Sequence, residues 1–214
     1  MSEYSYLMKI CLFADNEVGK KTLVKSDFLN NNFEVLDYMS TIGVEFTSKR
    51  INYQKGIKIQ FWTISEKENH ASNWKMYIRG TLGVILMYDI TNVKTLDWLT
   101  KCCKMVHDDR EEIPILLVGN KLDRVKNREV TYGQVEKFKQ ANEIASSMEI
   151  SLKTGKNVED MFLKISSMAL NIAIKELKEG LDQQKYKKLR KIRETFIRDI
   201  DRIIWIFFSF SVSR

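Results

Sequence analysis

Ile113-Pro114-Ile115-Leu116-Leu117-Val118-Gly119-Asn120-Lys121-Leu122-Asp123 is an apolar run that ends abruptly in a polar loop. Its first half has the length and continuity of a strand buried on both faces. Its second half sets an amide and a carboxylate three residues apart at the end of that strand. Such a pair can hydrogen-bond the edge of a purine. The carboxylate needs donors opposite it, and guanine supplies N1–H and a 2-amino group where adenine does not.

Working outward, Leu7-Met8-Lys9-Ile10-Cys11-Leu12-Phe13 and Gly83-Val84-Ile85-Leu86-Met87-Tyr88-Asp89 are further runs of buried-strand character. Gly43 to Ile51 and Ile57 to Trp62 alternate like a hairpin turning at Lys55-Gly56, and a short strand is expected near 147–150. Helical patterns cover about 20–29, 95–109, 131–143 and 157–177. This βα alternation predicts an α/β fold, a mostly parallel six-stranded sheet with helices on both faces. The polar turns 14–22, 119–123 and 151–155 then converge at the carboxyl ends of the strands, where ligands sit in such sheets.

With 214 residues, 44% hydrophobic and 29% charged, the chain can bury the core of one domain with an appendage. Cys11, Cys102 and Cys103 show neither metal nor disulfide spacing and read as reduced thiols in a cytoplasmic protein. His70 and His107 lie far apart and suggest surface or structural roles. No secretory signal is expected, and Ser2 stands where N-myristoylation needs a glycine. From Lys175 to Arg214 there are eleven Lys and Arg against six Asp and Glu, so most of the +7 net charge belongs to the tail. That placement argues against a nucleic-acid-binding body. The expected division is a domain over 6–174 and a basic, amphipathic helical extension over 175–214.

Five motifs stand in a fixed order. They are Val18-Gly19-Lys20, Thr41-Ile42-Gly43-Val44-Glu45-Phe46, Arg79-Gly80 with the run to Asp89, Gly119 to Asp123, and Glu149-Ile150-Ser151-Leu152-Lys153-Thr154-Gly155. With these in view the chain resembles a small GTPase of the Ras superfamily, most closely the Rab branch, over about residues 6–172. The resemblance implies a P-loop NTPase-type small GTPase fold that takes GTP or GDP with Mg²⁺. It assigns the guanine edge to Asn120 and Asp123, and sets Lys121 along the base, bracing the phosphate loop. A main-chain contact to the base is implied around Ser151, Leu152 and Lys153, where the family usually has Ala in place of Leu152. Gly19, Lys20, Lys21 and Thr22 fall on the phosphate loop, and Thr41 falls in the first switch, where the family uses a hydroxyl on the metal. Thr41–Phe46 and Trp62 match positions that meet effector proteins, which implies a role in vesicle-mediated transport or signalling.

The phosphate site departs from the family. Ala14 replaces the first Gly of the loop, Glu17 adds a carboxylate beside a polyanion, and Lys21 removes the hydroxyl that holds Mg²⁺. Thr22 comes one residue too late to replace it. Where the second switch reads Trp-Asp-Thr-Ala-Gly-Gln-Glu, this chain reads Trp62-Thr63-Ile64-Ser65-Glu66-Lys67-Glu68. Thr63 replaces a metal-supporting Asp, Glu66 a Gly on the γ-phosphate, and Lys67 the water-positioning Gln, so no catalytic residue is assigned. Thr41 alone remains of the metal groups. The resemblance therefore implies a nucleotide-binding module with hydrolysis weakened or lost. Two alternatives stay open: an active GTPase with an atypical metal site, Lys21 standing in for the ion, and a nucleotide-free pseudo-GTPase scaffold.

No cysteine follows Cys103, so no prenyl anchor is expected. Leu189, Ile192, Phe196, Ile197, Ile200, Ile203, Ile204 and Phe207 recur at helical spacing among Lys and Arg. Such a helix suits packing on its own domain or a partner helix, or an anionic membrane surface; a poorly structured chain end stays open as a third reading. No role in nucleic-acid binding is expected of it, because its aromatics cluster at the end.

Overall fold

Strands covered on both faces must be apolar throughout, and two central strands meet that demand. β5 (Thr81–Asp89) and β6 (Ile115–Asn120) are buried at every residue. The computed structural model describes residues 6–25, 33–41, 44–53, 57–64, 78–109, 112–179 and 189–190. The remaining strands are β1 (Tyr6–Ala14), β2 (Phe33–Thr41), β3 (Val44–Tyr53), β4 (Ile57–Ile64) and β7 (Ser146–Glu149). They form one sheet in the order β2-β3-β4-β1-β5-β6-β7. β4, β1, β5, β6 and β7 are mutually parallel, and β2 and β3 are antiparallel additions at one edge.

Among the described residues the sheet therefore has seven strands instead of the expected six. The addition is β2, which the sequence pattern conceals. Its register shifts between Val35 and Asp37, leaving Leu36 as an extra residue, and such a bulge resets the alternation of a strand. The turn expected at Lys55-Gly56 lies outside the described residues.

Among the described residues the helices are α1 (Lys20–Lys25), α2 (Val93–Asp109), α3 (Tyr132–Ala141) and α4 (Val158–Glu179). α3 begins at a reciprocal cap in which Thr131 and Gln134 satisfy each other's backbone N–H. Leu96, Leu99, Cys102, Cys103 and Val106 recur at three- and four-residue steps on α2. They enter a core with Cys11, Phe13, Ile64, Val84, Leu86 and Leu117. Side chains alternate along a strand, so Phe61 faces away from the side that Ile64 shares with α2. There it meets Phe162 of α4 edge-on, ring centres 5.0 Å apart. Helices thus cover both faces. All three cysteines are buried, and burial pushes the Cys103 thiol up to about 12.

By compactness the chain divides into Met1–Ala169 and Leu170–Arg214. Of the second unit the described residues are the end of α4 and the helical residues Leu189 and Arg190. Most of the amphipathic tail stripe lies outside the described residues.

Candidate nucleotide site

The apolar strand β6 delivers its polar end through a tight passage. A Cβ added at Gly119 would lie 2.7 Å from the Tyr88 hydroxyl and 3.0 Å from Ile90 Cγ2. Only glycine lets β6 run this close to the end of β5. The next residue, Asn120, is 3% exposed. Its Nδ2 donates to the Val18 carbonyl at 2.6 Å, and its Oδ1 accepts from the Leu152 N–H at 3.0 Å. One side chain thus joins the turns at 14–22, 119–123 and 151–155, which the sequence predicts to converge. An amide nitrogen carries two N–H groups, so the Val18 bond leaves Nδ2 a second donor for a base.

Lys121 sits in the left-handed region at φ 69°. Its ammonium lies 2.5 Å from Asp89 Oδ2. Asp89 is 4% exposed, and its other oxygen accepts from the Thr91 N–H at 2.9 Å and the Thr91 hydroxyl at 2.7 Å. The ion pair that Lys121 makes in the structure runs to Asp89 on β5. A buried carboxylate without a cation is costly, which gives Asp89 the stronger claim on that ammonium.

Asp123 accepts a hydrogen bond from Ser151 Oγ at 2.6 Å. That bond, aided by the charges of Lys153 and Arg124, holds its carboxyl below the usual carboxylate range. The exposed carboxylate stays ionised, ready to accept from paired donors. Ser151 Oγ accepts in turn from the Thr154 N–H at 3.2 Å. Backbone bonds from Leu122 N–H to Ile150 O, 3.0 Å, and from Ile150 N–H to Gly119 O, 2.8 Å, stitch the two loops together.

On the phosphate side Gly19 adopts φ 111°, open in practice only to glycine. Lys20 and Ala14 are buried, whereas Glu17 and Thr22 are exposed. Glu17 is thus turned outward, and Thr22 likewise presents its hydroxyl to solvent. The Lys21 side chain, Glu66 and Lys67 lie outside the described residues. Thr41 pairs with Val44 in the β2–β3 ladder, and Thr63 is buried in β4 opposite Leu12. The effector-type positions come together across strands, Met39 opposite Phe46 and Phe46 opposite Trp62. Trp62 is further held by the Lys9 ammonium, 3.8 Å from its ring centre.

The sequence reading assigns no role to Asp89, Thr91 or the Val18 carbonyl. The sequence signal for Asp89 is that it is the acidic end of an apolar strand; its register with Asn120, one residue before Lys121, appears only in the fold.

A mostly parallel sheet, with three loops joined at the carboxyl ends of its strands and Gly19 bending the first of them, is the α/β architecture of the P-loop type. A model of the Ras family matches residues 9–171. Ras-related protein Rab-4B of Rattus norvegicus is 36% identical over 173 residues, 78% of each chain. Rab-4 of Dictyostelium discoideum is 36% identical over 169 residues, 77% of this chain and 80% of its own. Rab-4A of Homo sapiens is 37% identical over 177 residues, 80% of this chain and 78% of its own. The chain belongs to the Ras family of small GTPases, as a Rab-like member.

Proposed function

We propose that this protein holds guanine nucleotide at the junction of its three loops, cleaves GTP weakly or not at all, and serves vesicle trafficking through effectors. The observation that carries the reading is the Asn120 junction with Asp123 kept anionic beside it. Guanine is the purine whose donors match that carboxylate. Reduced hydrolysis is supported by the donor set at the phosphate end. Mg²⁺ takes hard oxygen ligands in octahedral array. At the matching positions stand Lys21, whose ammonium repels a dication, and Thr63, a neutral hydroxyl 2% exposed. These residues do not fit the ion, and Lys67 cannot accept a proton from water while charged. The effector surface would be the strands carrying Thr41–Phe46 and Trp62. The tail, on its sequence pattern, would add contact with an anionic membrane surface. Among the described residues no helix is long and apolar enough to cross a membrane.

Mass spectrometry of the purified protein tests the binding half: a co-purifying guanine nucleotide is expected, and adenine nucleotide would overturn it. Asp123→Ala should lower GDP affinity by about 100-fold or more, since a site built around a hydrogen-bonding group loses heavily without it. Phosphate release from GTP tests the other half. A rate typical of small GTPases, rising with Mg²⁺, would sink it.

A further inference from the structure

Gly19 shapes the phosphate loop, and two side chains press on it. A Cβ placed there would lie 2.8 Å from Asn120 Nδ2 and 3.3 Å from Leu152 Cδ1. Asn120 is expected from the Asn-Lys-x-Asp pattern. Leu152 is this chain's own, a larger side chain than the alanine of the related pattern.

We propose that Leu152 is a positioning residue: packed against Gly19, it holds the phosphate loop in the shape that receives a diphosphate. The side chain is 2% exposed, so it fills space between the two loops. Its direction is set from below. The Leu152 N–H is bonded to Asn120 Oδ1 at 3.0 Å. Ser151 N–H to Lys156 O, 3.0 Å, and Gly155 N–H to Ser151 O, 2.9 Å, close the turn that carries it. Above, the Gly19 carbonyl accepts the Leu23 N–H at 3.0 Å, the first turn of α1. A stiff base-side loop therefore bears directly on the residue where the phosphate loop bends.

An anion cradle works by aiming backbone N–H groups at one point, and only a fixed loop keeps that aim. Where metal and phosphate normally share the ordering of the loop, packing from Leu152 supplies order before any ligand binds. The affinity consequence rests on the guanine-nucleotide reading above; the loop-order consequence does not.

Leu152→Ala and the volume-keeping Leu152→Met separate these. In ligand-free protein, amide exchange of Leu23 should quicken by roughly tenfold in Leu152→Ala and return near the wild-type rate in Leu152→Met. The ratio of GDP to guanosine affinity should fall by about tenfold in Leu152→Ala, because lost preorganisation affects the phosphates and spares the base corner. A residue that only stabilised the fold would lower both affinities alike. Unaltered Leu23 exchange, or equal loss for GDP and guanosine, overturns the assignment. If wild-type protein binds neither ligand, the guanine-nucleotide reading falls, and the exchange experiment alone still decides for or against Leu152. Leu152→Val serves the same comparison if the alanine variant does not fold.

Discussion

The base corner and the phosphate end meet at Gly19 but are built differently. At the carboxyl end of β6, Asn120 binds Val18 and Leu152, Lys121 binds Asp89, and Asp123 binds Ser151. Each of these side chains has a protein partner before any ligand arrives. At the other end, on the proposed reading, Lys21, Thr63 and Lys67 stand where the family has its metal and water groups. Residues that hold the protein together cannot change without cost to the fold. Groups whose partners are an ion, a phosphate and a water can change and leave the fold standing. On the proposed function, this contrast is how one half of the site keeps its pattern while the other departs from it.

The largest expected effect is Asn120→Ala, which leaves the Val18 carbonyl and the Leu152 N–H unpaired. Urea unfolding of ligand-free protein should show a loss of about 2–4 kcal/mol. A loss near zero would break the comparison, since Asn120 would then matter only to the ligand. Next comes Gly119→Ala, whose methyl group drives into the Tyr88 ring. It should cost about 1–3 kcal/mol by the same measurement and shift the near-ultraviolet signal of Tyr88. Asp89→Asn removes the carboxylate that holds Lys121, itself partly exposed. About 1–2 kcal/mol and faster release of bound GDP are expected, read by unfolding and by displacement of a fluorescent analogue.

Smaller effects sharpen the same contrast. The folded-state pKa of Asp123 lies below its unfolded value, so the pair with Ser151 stabilises the protein above the usual carboxylate range. That contribution is lost as pH falls through the lowered value. Ser151→Ala should flatten the acid limb of a stability-against-pH curve, and an unchanged limb would show the pair to be without consequence. Smallest is Lys21→Ser, which restores a hydroxyl at the phosphate end. It should alter stability by no more than about 0.5 kcal/mol while making GDP release slower in Mg²⁺ than in a chelator. A large change in stability would place Lys21 among the structural groups.

Much of this was legible along the chain because it is written locally. The buried strands β5 and β6 announce themselves by unbroken apolar runs, and Asn120 and Asp123 stand at the end of one of them. β2 was not legible, because the bulge at Leu36 spoils its alternation and its partner β3 is what makes it a strand. The Lys121–Asp89 pair was hidden for a related reason. The two residues are far apart along the chain, and only the parallel register of β5 and β6 sets them side by side. Leu152 could be seen as an exception to a pattern, but its contact with Gly19 could not.

Periodicity and the order of its motifs are properties of the chain itself. They were sufficient for the α/β class and the family, since each depends on neighbours within a few residues. Which side chains hold one another across the loops depended on strand register and on the close approach of backbones. Those distances arise only when separate segments pack, so the tertiary structure decided that Asn120 is a junction, that Lys121 belongs to Asp89, and that Leu152 rests on the phosphate loop.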